Sequence, residues 1–432
     1  MYSFFPVSKS KMARQEIAAP EWITTSYIEE SMQKSLNLPE LKIHKCDISY
    51  ATAVGDNYGS ILLRARLLLQ KSNNSQQENF VFVMKIPPAF NADFFEQLMK
   101  DQQVKDIQTF PREIKMYTKT LPASNALLLK VFPNHEKFYA ECYFHEVRSN
   151  QIACLALEDL HQSGFKMADR VKGLDLDHTT LVLQSLAKFH ASSLILLDND
   201  PETLDLHDMY AWADDNRFIV TNMYVKPFGC VADSVLTWED EPKKDEYYQK
   251  LKALEAVAAD KLIKNYERDD AKFNVLCHGD CWVNNMMFRY DADNKVNGIK
   301  FVDYQLTNYN TPAIDLVYFI LTSTQSRFEN VESLLKIYYE TFMETVNKLN
   351  YKLKKPFTLE ILKSEFESKL FYGLATILSI LPITMADQSE APKLDDLIGE
   401  DKSAEKGKIY RGKEFTKILK VALPYFEKHG VL

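Results

Sequence analysis

The chain has 432 residues, of which 46% are hydrophobic and 26% charged, so it can bury a large core and two domains are expected. Its formal net charge of −8 argues against a nucleic acid as partner. The N-terminus lacks a sustained apolar run, and the longest such run, 371–386, contains Pro382 and is too short to span a bilayer. We therefore expect a soluble, cytoplasmic protein with no membrane partner.

Six cysteines, at positions 46, 142, 154, 230, 277 and 281, follow no paired spacing. Cys277 and Cys281 lie four residues apart without a second pair, which makes them poor zinc ligands. We expect free thiols, as in a reducing cytosol.

The first 160 residues are rich in strand-like segments. Apolar residues near helical spacing predict an amphipathic helix at 20–38. The segments that follow alternate between strands and helices and are separated by turn signals. The predicted strands are 43–54, 60–70, 80–86, 127–132, 137–147 and 151–157, and the predicted helices are 92–107 and 111–121.

From residue 177 onward the pattern becomes helical. A sheet-rich part followed by a helix-rich part indicates an α+β fold with two lobes, which we place at 1–160 and 161–432. Two short strands are expected around 286–303, and a polar loop at 387–408. The predicted helices of the second lobe are 177–197, 246–268, 313–322, 331–350 and the buried 371–386.

One motif carries most of the chemical information. His278 and Gly279 precede Asp280, and Asn285 follows that aspartate by five residues. Asp303 ends a strand-like run about twenty residues later. His-Gly-Asp alone is also good turn chemistry, so the second acid is needed to distinguish a site from a loop. The hairpin predicted between the two elements would bring both acids together.

This constellation is typical of phosphoryl transfer, in which positioning and charge neutralisation supply most of the catalysis. Asp280 would orient a hydroxyl nucleophile and accept its proton. Asn285 and Asp303 would hold Mg²⁺ on the phosphates of ATP. His278 is expected to brace the loop rather than act as a base. The sequence therefore predicts a kinase that binds ATP between its lobes.

Two further residues suit an ATP site. Lys85 ends a strand, and Glu113 lies in a predicted helix that follows. A strand lysine held by a helix glutamate would contact the α- and β-phosphates. Lysine and glutamate are common surface residues, so this assignment depends on the downstream motif.

The remaining nucleotide contacts are predicted from two short segments. In the turn 55–60, the amides of Gly59 and Ser60 would approach the phosphates, although an ordinary glycine hairpin has the same sequence. Where the sheet-rich part ends, the Glu158 carbonyl and the Leu160 amide would pair with the adenine edge. A simple link between the lobes is the alternative.

Four other side chains lie near these motifs. His190, on an apolar helix, is expected to be a packed core histidine rather than a ligand. Asp315 is expected to bond the catalytic loop or cap a helix. Trp282 and Tyr304 either border the acceptor or pack in the core.

In these motifs the chain resembles the ecdysteroid kinase-like proteins of insects, which are related to aminoglycoside phosphotransferases and choline kinases. The resemblance rests on the elements at 277–285, 302–305, 157–160 and 188–191. It implies a two-lobed protein-kinase-like fold and ATP- and Mg²⁺-dependent phosphorylation of a small-molecule hydroxyl, with ecdysteroids as the namesake substrate. It also implies Asp280 as the base, Asn285 and Asp303 as metal ligands, and Lys85 as the phosphate contact.

Three functional hypotheses follow. A kinase for an ecdysteroid or similar apolar alcohol is favoured by 26 Phe and 22 Tyr and by the helical insertion 209–238. A kinase for a cationic molecule, of the choline or aminoglycoside type, is compatible with the acidic balance. A non-catalytic nucleotide- or hormone-binding protein on the same fold would not need all the polar residues named above.

Overall fold

The computed structural model describes residues 19–51, 60–87, 109–147, 153–207, 217–386 and 408–432. A sheet-rich part precedes a helix-rich part, so the α+β, two-lobed kinase-like fold is confirmed. The predicted turn through Gly59 and the predicted helix 92–107 lie outside the described residues. The predicted loop 387–408 also lies outside them, except for its last residue.

Five antiparallel strands form the sheet of the first part, in the order β1-β2-β3-β5-β4. Every second side chain of β2 between Leu63 and Leu69 is buried in a core, because neighbouring side chains of a strand point to opposite faces. Leu62 and Arg64 therefore face the other side. The strands are β1 (Lys42–Tyr50), β2 (Ile61–Gln70), β3 (Gln77–Ile86), β4 (Cys142–Val147) and β5 (Ala153–Glu158).

Helix α1 (Thr25–Leu36) covers the core face of this sheet. Its first turn is capped by Thr24, whose Oγ1 accepts the backbone N–H of Tyr27 at 3.1 Å. The helix ends at Asn37, which adopts the left-handed conformation that suits asparagine. The amphipathic helix predicted at 20–38 is thereby confirmed, with shorter bounds.

A longer helical stretch follows than the sequence predicts. Helix α2 (Thr109–Lys115) continues through a π turn (Met116–Thr120) into α3 (Leu121–Val131). The strand predicted at 127–132 is therefore wrong. A proline in the first turn of α3 and a run of leucines, which are good helix formers, outweigh the short apolar pattern that suggested a strand.

Helices dominate the second part, where α4 packs along α10 and α9 along α12. The helix predicted at 246–268 is two helices, because the chain leaves helical geometry at Val257. Neither α11 nor α13 was predicted. The helices are α4 (Leu176–Asn199), α5 (Arg217–Val220), α6 (Lys226–Val235), α7 (Lys244–Glu255), α8 (Ala258–Tyr266), α9 (Ala313–Ser323), α10 (Val331–Lys348), α11 (Leu359–Ser368), α12 (Leu370–Met385) and α13 (Lys413–Lys428).

Two small sheets position the motif residues. The predicted hairpin is present as β8 and β9, to which β6 adds a third strand, while β7 pairs with β10. A bond from the Val302 N–H to the Asn285 carbonyl (3.0 Å) joins the ends of β8 and β9 beside the site. The strands are β6 (Lys166–Met167), β7 (Val275–Cys277), β8 (Met286–Tyr290), β9 (Val296–Phe301) and β10 (Asn308–Asn310).

Two parts of the helical region are apolar enough to cross a membrane by length and composition. One is α4, and the other is α11 joined to α12 across a 54° bend. In the fold, 56% of the most apolar window of α4 is buried. Because the core helices of a folded protein have the same composition, the expectation of no membrane partner stays a prediction.

Candidate active site

The loop after β7 has a backbone that only glycine fits easily. Gly279 has a φ of +81°, and a Cβ there would lie 2.0 Å from the carbonyl oxygen of Leu306. Any larger residue would force the loop away from the segment that follows Asp303. This backbone conformation and the close approach of Leu306 explain why the His-Gly-Asp motif has glycine at its centre.

Helix α9 holds this loop in place. The buried carboxylate of Asp315 accepts the backbone N–H groups of His278 and Gly279, at 2.6 and 2.8 Å. It also contacts Nε2 of His190, at 3.1 Å, while the other ring nitrogen of His190 lies 2.7 Å from the hydroxyl of Tyr338. The predicted bond of Asp315 to the loop is confirmed, and so is the packed core position of His190.

His278 braces the loop, as the sequence predicts. Its Nε2 lies 3.2 Å from the carbonyl oxygen of Val302, and its Nδ1 lies 3.4 Å from the backbone nitrogen of Asp280. Burial lowers the pKa of His278, so the ring is neutral near pH 7. A neutral ring can donate to the carbonyl and accept from the amide at once, which ties the two halves of the site together.

The carboxylate of Asp280 is half-buried and held at both oxygens. The side-chain amide of Asn285 donates to Oδ2 at 2.8 Å, and the hydroxyl of Tyr318 donates to Oδ1 at 3.0 Å. Burial, followed by the charge of Asp303, raises the pKa of Asp280 to about 7. These two contacts fix the direction in which the carboxylate faces.

Asn285 links this carboxylate to the metal site predicted from the sequence. It ends a short 3-10 turn (Val283–Asn285), and its amide nitrogen also donates to the Asp280 carbonyl oxygen at 2.9 Å. Both amide hydrogens are thus directed at Asp280, which leaves the amide oxygen for another partner. Carboxylate and amide oxygens are suitable ligands for Mg²⁺, so Asn285 and Asp303 fit the predicted ion.

Asp303 follows β9 in an unusual backbone conformation. Its φ of 66° and ψ of 61° lie in the left-handed region, which non-glycine residues adopt at a cost of about 1 kcal/mol or more. Its Oδ1 accepts from Nζ of Lys85 at 2.7 Å, and its Oδ2 from the side chain of Gln305 at 3.3 Å. Such strain at a polar residue is typical of a functional position.

Lys85 lies between two carboxylates that are distant in sequence. Its Nζ is 2.6 Å from Oε2 of Glu113 on α2 and 2.7 Å from Oδ1 of Asp303. Burial alone would lower the pKa of Lys85, but attraction to Asp303 and Glu113 outweighs it and raises this pKa above its ordinary value. The ammonium therefore stays charged where Lys85 lines a cavity.

This cavity, of about 590 Å³, lies between the sheet and the helical part. A volume of this order suits a cofactor-sized ligand. Most of the predicted nucleotide and metal contacts line it, namely Ser60, Lys85, Glu113, Glu158, Leu160, Asn285 and Asp303. Its apolar walls include Leu62, Val83, Leu157, Met287 and Val302.

Three predicted site residues require separate description. Gly59 lies outside the described residues, while its neighbour Ser60 is buried at the cavity wall. Asp280 does not line the cavity, but its carboxylate accepts a hydrogen bond from Asn285, which does. The side chain of Glu158 accepts the backbone N–H of Glu141 at 3.2 Å, and its predicted contact with adenine, like that of Leu160, stays a prediction.

Sequence reasoning missed an ion pair in the cavity wall. Arg64 on β2 contacts Asp159, just after β5, through Nε at 2.7 Å and a second guanidinium nitrogen at 3.3 Å. Leu62 and Arg64 share a face by the period-two rule, so their common direction was available from the sequence. The partner was not, because Asp159 is ninety-five positions away.

Sequence reasoning also missed Tyr318, which contacts Asp280. It lies three positions after Asp315 on α9, a spacing that places two side chains on one helix face. Tyr304, for which core packing and acceptor contact were both open, packs against the rings of His278 and Tyr117 and is fully buried. Trp282 is half-buried and packs at the edge of the same core.

Two known proteins are similar to this chain along much of its length. An uncharacterised kinase-like protein of Caenorhabditis elegans is 21% identical over 252 residues, which are 57% of this chain and 60% of that protein. The chain thus spans about 60% of the length of this curated relative. A solved structure of a Ralstonia eutropha protein, described as an aminoglycoside phosphotransferase, is 13% identical, with a TM-score of 0.43 over 94% of this chain and 98% of that one.

A family comparison is more specific. The model of the ecdysteroid kinase-like family matches residues 54–351, which is more than half of the chain. That range includes the lysine and glutamate of the cavity, the His-Gly-Asp loop and the strained aspartate. The resemblance that the motifs indicate is therefore confirmed. The chain belongs to the ecdysteroid kinase-like family.

Proposed function

We propose that this protein is an ATP- and Mg²⁺-dependent kinase that transfers the γ-phosphoryl group to an alcohol hydroxyl of a small molecule, of the ecdysteroid or a similar apolar class. The observation that carries the proposal is the position of Lys85 between Glu113 and Asp303, at a cavity of cofactor size. A charged lysine at this point is placed to meet phosphate oxygens.

Each polar residue has a role in this reaction. Asp280 orients the acceptor hydroxyl and receives its proton, while the acceptor oxygen forms a bond to phosphorus and the bond from phosphorus to ADP breaks. Lys85 binds the α- and β-phosphates, and Glu113 holds Lys85 in place. Asn285 and Asp303 would hold Mg²⁺, which neutralises charge on the transferring phosphoryl group when bound.

Aromatic side chains lie near Asp280 and suit an apolar acceptor. Tyr318 contacts the carboxylate, and its ring lies 6.2 Å from that of Tyr372. Burial raises the pKa of Tyr224, and the charge of Asp280 contributes to this shift, which places that tyrosine nearby as well. The amines of an aminoglycoside would favour additional carboxylates here, whereas tyrosine faces also bind the quaternary ammonium group of choline. Choline is therefore the second candidate, and the acceptor screen separates it from an apolar alcohol.

The test is a screen of ATP consumption with 20-hydroxyecdysone, choline, an aminoglycoside and a peptide pool as acceptors, at increasing Mg²⁺. We expect Mg²⁺-dependent turnover with the ecdysteroid. Turnover only with choline or the aminoglycoside would replace the substrate class. Mg²⁺-dependent ATP binding without turnover of any acceptor would instead favour a binding protein.

We also propose a cytoplasmic location. Support comes from the free thiols of all six cysteines, which suit a reducing compartment. Cell fractionation of the full chain tests this, and recovery in the secreted or membrane fraction would contradict it.

A further inference from the structure

Helix α9 contacts three consecutive residues of the catalytic loop from one face. Asp315 accepts the backbone N–H groups of His278 and Gly279. One turn later, the hydroxyl of Tyr318 donates to the side chain of Asp280. The first two contacts fix the backbone of the loop, and the third fixes the carboxylate itself.

The two hydrogen bonds to Asp280 leave room for a substrate. Each carboxylate oxygen can accept two hydrogen bonds, and Tyr318 and Asn285 use one on each oxygen. The side chain of Trp282 also approaches the carboxylate, and the position that these donors leave free is available to an acceptor hydroxyl. Because two donors hold the carboxylate from different elements, it cannot rotate without losing one of them.

Tyr318 is itself held rigidly. Its side chain is 3% exposed, and its ring meets that of Tyr372 on α12 edge to face, at 6.2 Å. Tyr372 meets Tyr266 in the same way at 5.3 Å, and the hydroxyl of Tyr266 accepts from Asn308 on β10. The phenol is therefore fixed to the strand pair from which the catalytic loop begins.

From this geometry we infer that Tyr318 is a positioning residue, which sets the orientation of the Asp280 carboxylate toward the acceptor hydroxyl. This inference rests on the proposed function, since it assigns Tyr318 a role through Asp280. Packing alone would require only the ring. Orientation of the carboxylate requires the hydroxyl as well. Removal of the hydroxyl alone therefore distinguishes a positioning role from a packing role.

The test compares Tyr318→Phe with the unchanged protein, using the acceptor that gives the highest turnover in the screen and acceptor-free ATP hydrolysis as a second probe. We expect kcat to fall about 10- to 100-fold, which corresponds to a lost hydrogen bond to a charged group. KM for ATP should stay within about twofold, because Tyr318 does not line the nucleotide cavity. The melting temperature should change little, since phenylalanine retains the ring.

Tyr290→Phe is the matched control. Tyr290 lies on β8, and its hydroxyl is 2.9 Å from Nε2 of His178 on α4. Removal of this hydroxyl should leave kcat unchanged. Incorporation of 3-fluorotyrosine at position 318 keeps both ring and hydroxyl and should preserve turnover. This variant also tests the inference if Tyr318→Phe folds poorly. Loss of turnover by a stably folded protein with the fluorinated residue would contradict the inference.

Asp280→Ala distinguishes the inference from the function on which it rests. If Asp280→Ala abolishes turnover and Tyr318→Phe leaves kcat unchanged, the positioning role is wrong while the kinase function stands. If Asp280→Ala retains full activity, Asp280 is not the base and the positioning role of Tyr318 fails with it, while the kinase function stands. The proposed function itself fails if the unchanged protein turns over none of the acceptors. In an Asp280→Asn background, Tyr318→Phe should reduce the residual rate no further, because its effect passes through that carboxylate.

Discussion

The nucleotide side and the acceptor side of this site are held together by different forces. On the nucleotide side, one buried ammonium contacts two carboxylates, at 2.6 and 2.7 Å. On the acceptor side, Asp280 is held by the neutral donors Asn285 and Tyr318. We therefore expect substitutions on the nucleotide side to lower the unfolding free energy, and substitutions on the acceptor side to lower mainly kcat.

The largest expected effect is on the acceptor side. Asp280→Ala should lower kcat about 10²- to 10⁴-fold, the usual contribution of a general base, and leave ATP affinity nearly unchanged. Steady-state kinetics and ATP titration calorimetry measure both quantities. Asp291→Ala, in the β8–β9 turn, is the control, and full activity of Asp280→Ala would remove the proposed base.

Asp303→Asn should affect both binding and rate. Loss of the carboxylate charge should lower kcat about 10²- to 10³-fold, a loss typical of a removed electrostatic contact, and weaken Mg²⁺-dependent ATP binding. A Mg²⁺ titration of ATP affinity provides the measurement. An unchanged Mg²⁺ dependence would rule Asp303 out as a metal ligand.

Lys85→Met tests the coupling of the nucleotide side to stability. Removal of the ammonium leaves Glu113 buried without its cation, which should cost about 3 kcal/mol of unfolding free energy. Urea denaturation gives this value. Lys300→Met removes another buried lysine, which contacts the Tyr139 carbonyl oxygen rather than a carboxylate, and should cost less. Equal losses would break the proposed difference between the two sides.

The smallest effect concerns His207, which is buried and contacts Thr307 through Nδ1. Burial lowers its pKa to about 3, so it is neutral in the folded protein and gains a proton on unfolding below about pH 6.5. Its contribution to stability is complete above that pH and is lost as the pH falls. Between pH 7.5 and 5.5, we expect a loss of about 1.4 kcal/mol.

His207→Gln should remove this part of the pH dependence in urea denaturation. His44→Gln, which changes an exposed histidine on β1, should leave it in place. If both variants retain the full slope, the loss at low pH arises elsewhere.

The sequence by itself determined the general fold and predicted which residues form the candidate site. Asp280, Asn285 and Asp303 were readable because their spacing is local, and Lys85 and Glu113 followed from a strand and a helix. Hydrophobic periodicity likewise gave the sheet-rich and helix-rich parts, since it reflects neighbouring residues. The error at 127–132 arose where a short apolar run is compatible with either a strand or a helix.

Tertiary structure alone decided which distant groups meet. The contact of Arg64 with Asp159 and of Tyr318 with Asp280 joins elements that share no local pattern. The left-handed backbone of Asp303 is likewise set by its surroundings, because most sequences avoid that conformation when nothing enforces it. Residue types carry the chemistry of this site, while packing between helices and sheet sets its geometry.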